Sequence, residues 1–192
     1  MATTYWKDDP AHSEVQFKVK HLMITTVTGY LRKFDVEVET EEDDFAKASK
    51  ILFTAVTESV DTNNVQRDTH LRSEDFFSAE KYPQIRFEGK KLVPAGDTYR
   101  LDGDLTIRNK THPITLDVEY GGSVVDPYGQ TKAGFTVTGH LKRKDFDLTW
   151  NAVTEAGQVV VSNDIRLHVE LQLIKQAAKK TAETKEAKEA VV

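Results

Sequence analysis

Apolar residues recur at every second position through most of this 192-residue chain, a period that commits it to strands with one dry face and one wet face. Val15, Phe17, Val19, His21 and Met23 share one parity, with Glu14, Gln16, Lys18 and Lys20 on the other. The alternation returns at Phe34, Val36 and Val38, at Ile85 and Phe87, and at Tyr99, Leu101, Gly103, Leu105 and Ile107. It returns again at Ile114, Leu116, Val118 and Tyr120, at Phe135, Val137, Gly139 and Leu141, and at Ile165, Leu167, Val169, Leu171 and Leu173. Residues 50–57 add a weaker run. Turn sequences such as Pro94-Ala95-Gly96-Asp97, Gly121-Gly122 and Asp126-Pro127-Tyr128-Gly129 separate the runs, as antiparallel hairpins require. The pattern predicts an all-β antiparallel fold of about eight strands. Such strands close into a barrel or stack as a sandwich, and the unbroken apolar parity favours the barrel.

Two segments depart from that period. Residues 62–77 are polar, open with the capping types Thr62, Asn63 and Asn64, and place Val65, Leu71 and Phe76 or Phe77 at helical spacing. A short helical cap over one barrel end is expected there. From Lys175 onward, KQAAKKTAETKEAKEAVV has too few apolar residues to bury a face. The chain therefore divides into a barrel domain at residues 1–174 and a charged, solvated or helical tail at 175–192.

Composition removes several chemistries. With no cysteine, disulfide scaffolds, thiol catalysis and thiolate metal sites are excluded. Thirty-one acidic against 26 basic residues leave a formal charge of -5, which repels phosphate backbones, so no nucleic-acid partner is expected. No stretch approaches the ~20 apolar residues of a membrane span, and the N-terminus MATTYWKDDPAHSEV lacks a basic region followed by an apolar run. A soluble, cytoplasmic chain without an integral membrane segment is the expectation.

The titratable residues form no catalytic or metal-binding pattern. His140 and His168 sit on the wet parity, and no HxH or HxxxH pair occurs. Asp9, His12 and Ser13 resemble a base and nucleophile only superficially, since consecutive residues entering a strand project to opposite faces. Capping of a turn is the simpler role for them. The pairs Asp102 and Asp104, and Asp145 and Asp147, also lie on solvated faces, where nothing separates their pKa values. His21 differs, because it shares the dry parity of Phe17 and Val19. It is either a satisfied core histidine or a polar contact for a ligand at a barrel mouth.

Four blocks then resemble a known family. The first reads W-x-x-D-x-x-H-S-x-x-x-F-x-V-K-H-L from Trp6 to Leu22, with Gly29 following. The second holds Asp61, Asn63, Arg67, Asp68, His70, Leu71, Ser73, Phe76, Phe77, Tyr82, Pro83 and Phe87. Gly103-Asp104-Leu105-Thr106-Ile107-Arg108 with Thr111 and Pro113 makes the third, and Arg143, Asp145, Phe146 and Trp150 the fourth. In this order they resemble the YceI-like polyisoprenoid-binding proteins, over about Trp6 to Leu173. The chain departs from that family at turns: Asp147 and Asn109 stand where glycine is usual, and Ser162-Asn163-Asp164 where a Gly-Asp-Glu turn is usual.

The resemblance implies a lipocalin-like eight-stranded barrel, often a homodimer, that holds a long isoprenoid lipid such as a polyprenyl phosphate or an isoprenoid quinone, with no catalytic residue, metal or cofactor. Many relatives carry a secretion signal. The expected lining is Phe17, Val19, Phe34, Val36, Phe53, Phe87, Leu101, Leu105, Leu116, Phe135 and Val137, with His21 or Arg67 as headgroup contacts. Phe76, Phe77, Tyr82, Phe146 and Trp150 fall near the ends, as a mouth, a lid or plugs. Two rival readings stand beside this one: an enzyme acting on a small apolar substrate, and a packed interaction barrel with no ligand. Parity does not distinguish a filled barrel from a hollow one.

Overall fold

The computed structural model describes residues 2–177. Its strands make eight staves of one closed antiparallel barrel. Strands β1 (Thr3–Asp8) and β2 (Glu14–His21) run end to end along the first stave, β3 (Thr25–Leu31) and β4 (Phe34–Glu41) along the second, and β5 (Asp44–Val56) and β6 (Val60–Asp61) along the third. The other five are single strands: β7 (Gln84–Ala95), β8 (Thr98–Ile107), β9 (Lys110–Val125), β10 (Thr131–Lys142) and β11 (Val161–Lys175). Each stave pairs with the next, and β11 closes the ring by pairing first with β2, Ile165 opposite Val19, and then with β1, Leu173 opposite Asp8. Closure removes most of the free sheet edge that is the usual hazard of an all-β chain, though β3 is paired on its second side only at Tyr30 and Leu31, with β6.

The expected alternation is plain on β8, where Leu101, Gly103, Leu105 and Ile107 are buried while Arg100 is exposed. The eight alternating runs correspond to β2, β4, β5 and β7 to β11. The short strands β1, β3 and β6 went unread because TTYWKD and TTVTGYL carry no strict apolar alternation. Lys175, assigned by composition to the tail, is the last residue of β11 and pairs with Trp6. The remainder of the tail reading, residues 178–192, lies outside the described residues.

Where β1 gives way to β2, side chains replace the interrupted ladder. Asp8 Oδ1 accepts from the Val36 N–H at 2.7 Å. Ser13 Oγ accepts the Gln172 N–H at 3.0 Å, and Asp9 Oδ2 takes Lys132 Nζ at 3.0 Å, Gln172 Nε2 at 2.9 Å and His12 Nδ1 at 2.9 Å. Asp9, His12 and Ser13 thus form a latch between the first stave and β11. Burial pushes the Asp9 carboxyl up, but Lys132, His12, the Ala11 N–H and Gln172 more than offset it and hold the group well below the usual carboxylate range.

A carboxyl with a folded pKa below its unfolded value, ~3.9, contributes stability that is complete above about pH 4 and is lost as the pH falls through the folded value. Asp9→Asn is therefore expected to cost on the order of 2 kcal/mol at pH 7, by removing a buried charged acceptor. The gap to the wild type should narrow steadily below about pH 4. Urea unfolding at pH 7 and at acid pH checks this; a gap that stayed constant with pH would show that Asp9 acts through shape and not charge.

The predicted cap is present as α1 (Val65–Arg72), started by Asn64, whose side chain accepts the Arg67 N–H. Arg72 ties the helix to the third stave, donating to Glu58 O at 2.9 Å and Val60 O at 3.0 Å. The opposite end is closed by rings: Phe45 lies 4.8 Å from Trp6, 4.9 Å from Phe135 and 5.8 Å from Tyr120, centroid to centroid. Trp6 Nε1 is satisfied there by Thr40 Oγ1 at 3.1 Å.

Candidate functional site: an apolar barrel cavity

The inward stripe does not bury evenly. On β7 to β9, Ile85, Phe87, Leu101, Leu105, Ile107 and Leu116 are all buried. On β2 and β11 the residues of the same parity, Phe17, Val19, Ile165, Leu167, Val169 and Leu171, are only half-buried although they point inward. They border a cavity of about 230 Å³. For scale, an apolar cavity of about 150 Å³ stays dry and takes up benzene, a six-carbon ring. All its lining residues except Gln16 and Arg143 are apolar.

Glycines on the inner wall help to keep this space open. The Phe17 ring lies where a Cβ on Gly29 would stand, and the Phe87 ring occupies the same position over Gly103. Each ring therefore lies flat against the neighbouring strand instead of projecting to the barrel axis. A side chain at either glycine would displace the ring inward.

Of the expected lining residues, Phe17, Val19, Val36, Phe53, Phe76, Phe77, Phe87, Leu101, Leu105, Leu116 and Val137 border the cavity. Six others do not. Phe34 packs on Phe53 at 6.1 Å, outside the lining, and Phe135 belongs to the aromatic plug. Phe146 is 1% exposed and meets His112 at 5.3 Å within the packed core. Trp150 stands behind the wall, 5.3 Å from Phe76 and 4.8 Å from His70, and so braces the cap. His21 is half-buried at the last position of β2, between Thr25 and Val161, where the ladder with β11 shifts register. Its parity was legible, but parity specifies a face and not a depth: on β2 the lining stops at Val19, while His21's register partner Val161 still borders the cavity from β11. Arg67 is exposed and folds back on its own helix start, donating to Thr62 Oγ1 at 2.7 Å and Thr62 O at 2.8 Å.

The lining also includes residues left out of the expected set, notably Ile165, Leu167, Val169 and Leu171 of β11, and one charged residue, Arg143. Arg143 stands in the short helical turn Arg143–Phe146 after β10 and is 2% exposed. Nε donates to Ser162 O at 2.9 Å, Nη1 to Leu148 O and to Trp150 O at 2.7 Å, and Nη2 to Val161 O at 3.2 Å. The guanidinium thus holds both ends of the connection between β10 and β11. Burial with no carboxylate beside it lowers its pKa. The only signal for it was the Arg-x-Asp-Phe block, which sets no role by itself.

Backbone angles explain two of the three departures, while Ser162-Asn163-Asp164 lies within β11 and not in a turn. Asn109 and Asp147 have φ of 63° and 58°, left-handed positions where glycine is easiest and Asn and Asp are the best-tolerated alternatives.

Comparisons with known proteins agree with this architecture. A family model described as YceI-like domain matches residues 6–173. A UPF0312 protein of Staphylococcus epidermidis is 36% identical over 164 residues, covering 85% of this chain and 93% of that one. The YCEI protein of Campylobacter jejuni, a solved structure, is 32% identical with a TM-score of 0.70, covering 82% of this chain and 90% of that one. BcnA of Burkholderia cenocepacia, at 23% identity and a TM-score of 0.74 over 86% of this chain and 98% of that one, shares the fold. With the barrel from Trp6 to Leu173 inside the match, the chain belongs to the YceI-like domain family.

Proposed function

We propose that the barrel interior holds the polyisoprenyl chain of a lipid, a polyprenyl phosphate or an isoprenoid quinone, and binds, carries or sequesters it without catalysis. The observation that carries this reading is the apolar cavity itself, walled by half-buried inward side chains on β2 and β11. By comparison with the benzene-sized case it offers room for about two isoprene units, each stabilised by roughly 4 kcal/mol at ~0.8 kcal/mol per carbon removed from water. A longer chain continues past the cap built from Leu71, Phe76 and Phe77. Among the described residues Arg143 is the only ionisable group on the wall, and its donors are committed to backbone carbonyls, which favours binding over acid–base chemistry. A barrel of the same fold from Saccharophagus degradans is described as a polyisoprenoid binding domain, which supports the choice of ligand class.

Native mass spectrometry of gently purified protein should show a bound lipid that solvent extraction identifies as an isoprenoid. An empty barrel that also fails to take up polyprenyl phosphate or quinone in titration would overturn the reading.

A further inference from the structure

Two hairpins meet at the capped end of the barrel and expose apolar tips there. The turn between β2 and β3 carries Leu22 and Met23 with φ of 50° and 59°, a left-handed conformation that bulky residues seldom adopt and that such turns usually fill with Asn and Gly. Met23 is 60% and Ile24 77% exposed. Beside them, Val153 bridges Val159 in a small flap whose exposures are 70% and 42%. The Leu22 N–H donates to Val160 O at 2.8 Å, so the two tips form one continuous rim. Val161, next along, borders the cavity.

Below the rim the outer wall is basic. Lys18 lies opposite Arg166, Arg166 opposite His140, and Lys142 opposite Asp164, while Lys20 and Lys144 flank the two hairpins. None of Lys18, Lys20, Lys142, Lys144 and Arg166 forms an ion pair among the described residues. The nearby carboxylates are Glu155 in the turn of the flap, Asp145, Asp147, which pairs with Lys110 at 3.4 Å, and Asp164, 3.3 Å from His140, fewer than the cations of the collar and the rim together. In a chain of net charge -5 this is a local reversal of sign.

From this arrangement we infer that the capped end docks on the surface of an anionic phospholipid bilayer. Met23, Ile24, Val153 and Val159 enter the headgroup layer, and the five cations face the phosphates. Apolar tips above a basic collar are the arrangement that interfacial binding uses. Four side chains on two tips fall far short of the roughly 20 to 30 residues a side that a stable protein interface needs, which disfavours a second copy as the occupant. The docking would place the cavity's capped end against the source of its lipid. Its purpose rests on the isoprenoid reading above, but its test does not.

Vesicle co-sedimentation separates the two. Using isoprenoid-free vesicles, the full chain should bind phosphatidylcholine mixed with phosphatidylglycerol and not phosphatidylcholine alone. Lys18→Gln with Lys20→Gln should weaken binding roughly 25-fold, at about fivefold per surface cation removed. Met23→Ser with Ile24→Ser should weaken it at least as much. Val124→Ser with Val125→Ser, exposed positions at the opposite end, should change nothing. Equal binding to neutral vesicles, loss caused by the opposite-end pair, or no binding at all would each overturn the proposal. So would a dimer in light scattering that the Met23 and Ile24 substitutions abolish, which would assign the rim to a second copy. If vesicle binding fails while isoprenoid still co-purifies, the cavity reading stands alone.

Discussion

Replacing Val137 and Val169 together with phenylalanine is expected to cut isoprenoid affinity about 1000-fold while leaving the barrel as stable as the wild type, or more so. The two valines face each other across β10 and β11 and both border the cavity. Two phenyl rings there occupy the space of about one isoprene unit, and losing burial of five carbons at ~0.8 kcal/mol each costs about 4 kcal/mol of binding. That energy corresponds to about three powers of ten in Kd. Stability should move the other way or stay level, because filling a void restores contacts that its lining lacks. In a filled core the same change would cost about 1–3 kcal/mol through overpacking, and the denaturation midpoint would fall. Titration with a quinone or polyprenyl phosphate, paired with urea unfolding, reads both signs. Lower stability with unchanged binding would sink the cavity as the site.

The second large effect is expected at Arg143. Arg143→Ala should destabilise the fold by on the order of 4 kcal/mol, because it strips four carbonyl oxygens of a donor in a buried region at once. For a chain of this size that corresponds to a fall in Tm of roughly 10 °C. Arg143→Lys should recover little, since an ammonium keeps the charge but not the planar fork that reaches carbonyls on both sides. Losing the clamp also frees the connection that carries Trp150 and the Val153–Val159 flap, so limited proteolysis should cut between residues 148 and 160 in the variant first. An unfolding free energy within ~1 kcal/mol of wild type would show that the guanidinium is not what holds that connection.

Much of the wall was legible in the chain itself. The alternation around Leu101 and Leu105 assigned each side chain to a face without reference to any other strand, because strand geometry repeats every two residues. The helical cap was legible for a similarly local reason, since Asn64 caps the first turn of α1, but the expected helical spacing was not realised: Val65 is exposed and Phe76 lies beyond the helix end at Arg72. Less legible was how far along its stave each inward residue lies. His21, Phe34 and Phe135 all carry the dry parity, yet none borders the cavity, because plugs, caps and register shifts decide depth. Arg67 and Arg143 show the same limit for charges. Both stand in recognisable blocks, and only the fold reveals that one turns back on Thr62 while the other clamps a loop beside the cavity.

The period-two pattern, then, determined by itself that this chain forms about eight antiparallel strands with one apolar face, which favoured a barrel over a sandwich, and the four blocks pointed to its family. Whether that interior is packed or hollow was decided only by the tertiary structure. Closing eight staves sets an interior volume through strand number, tilt and stagger, and side chains fill it or leave a remainder according to how they lean. Here Phe17 and Phe87 lie back over Gly29 and Gly103, the plug rings gather at one end, and a space lined from β2 to β11 is left between them. Parity is a property of one strand, whereas the void is a property of the closed ring.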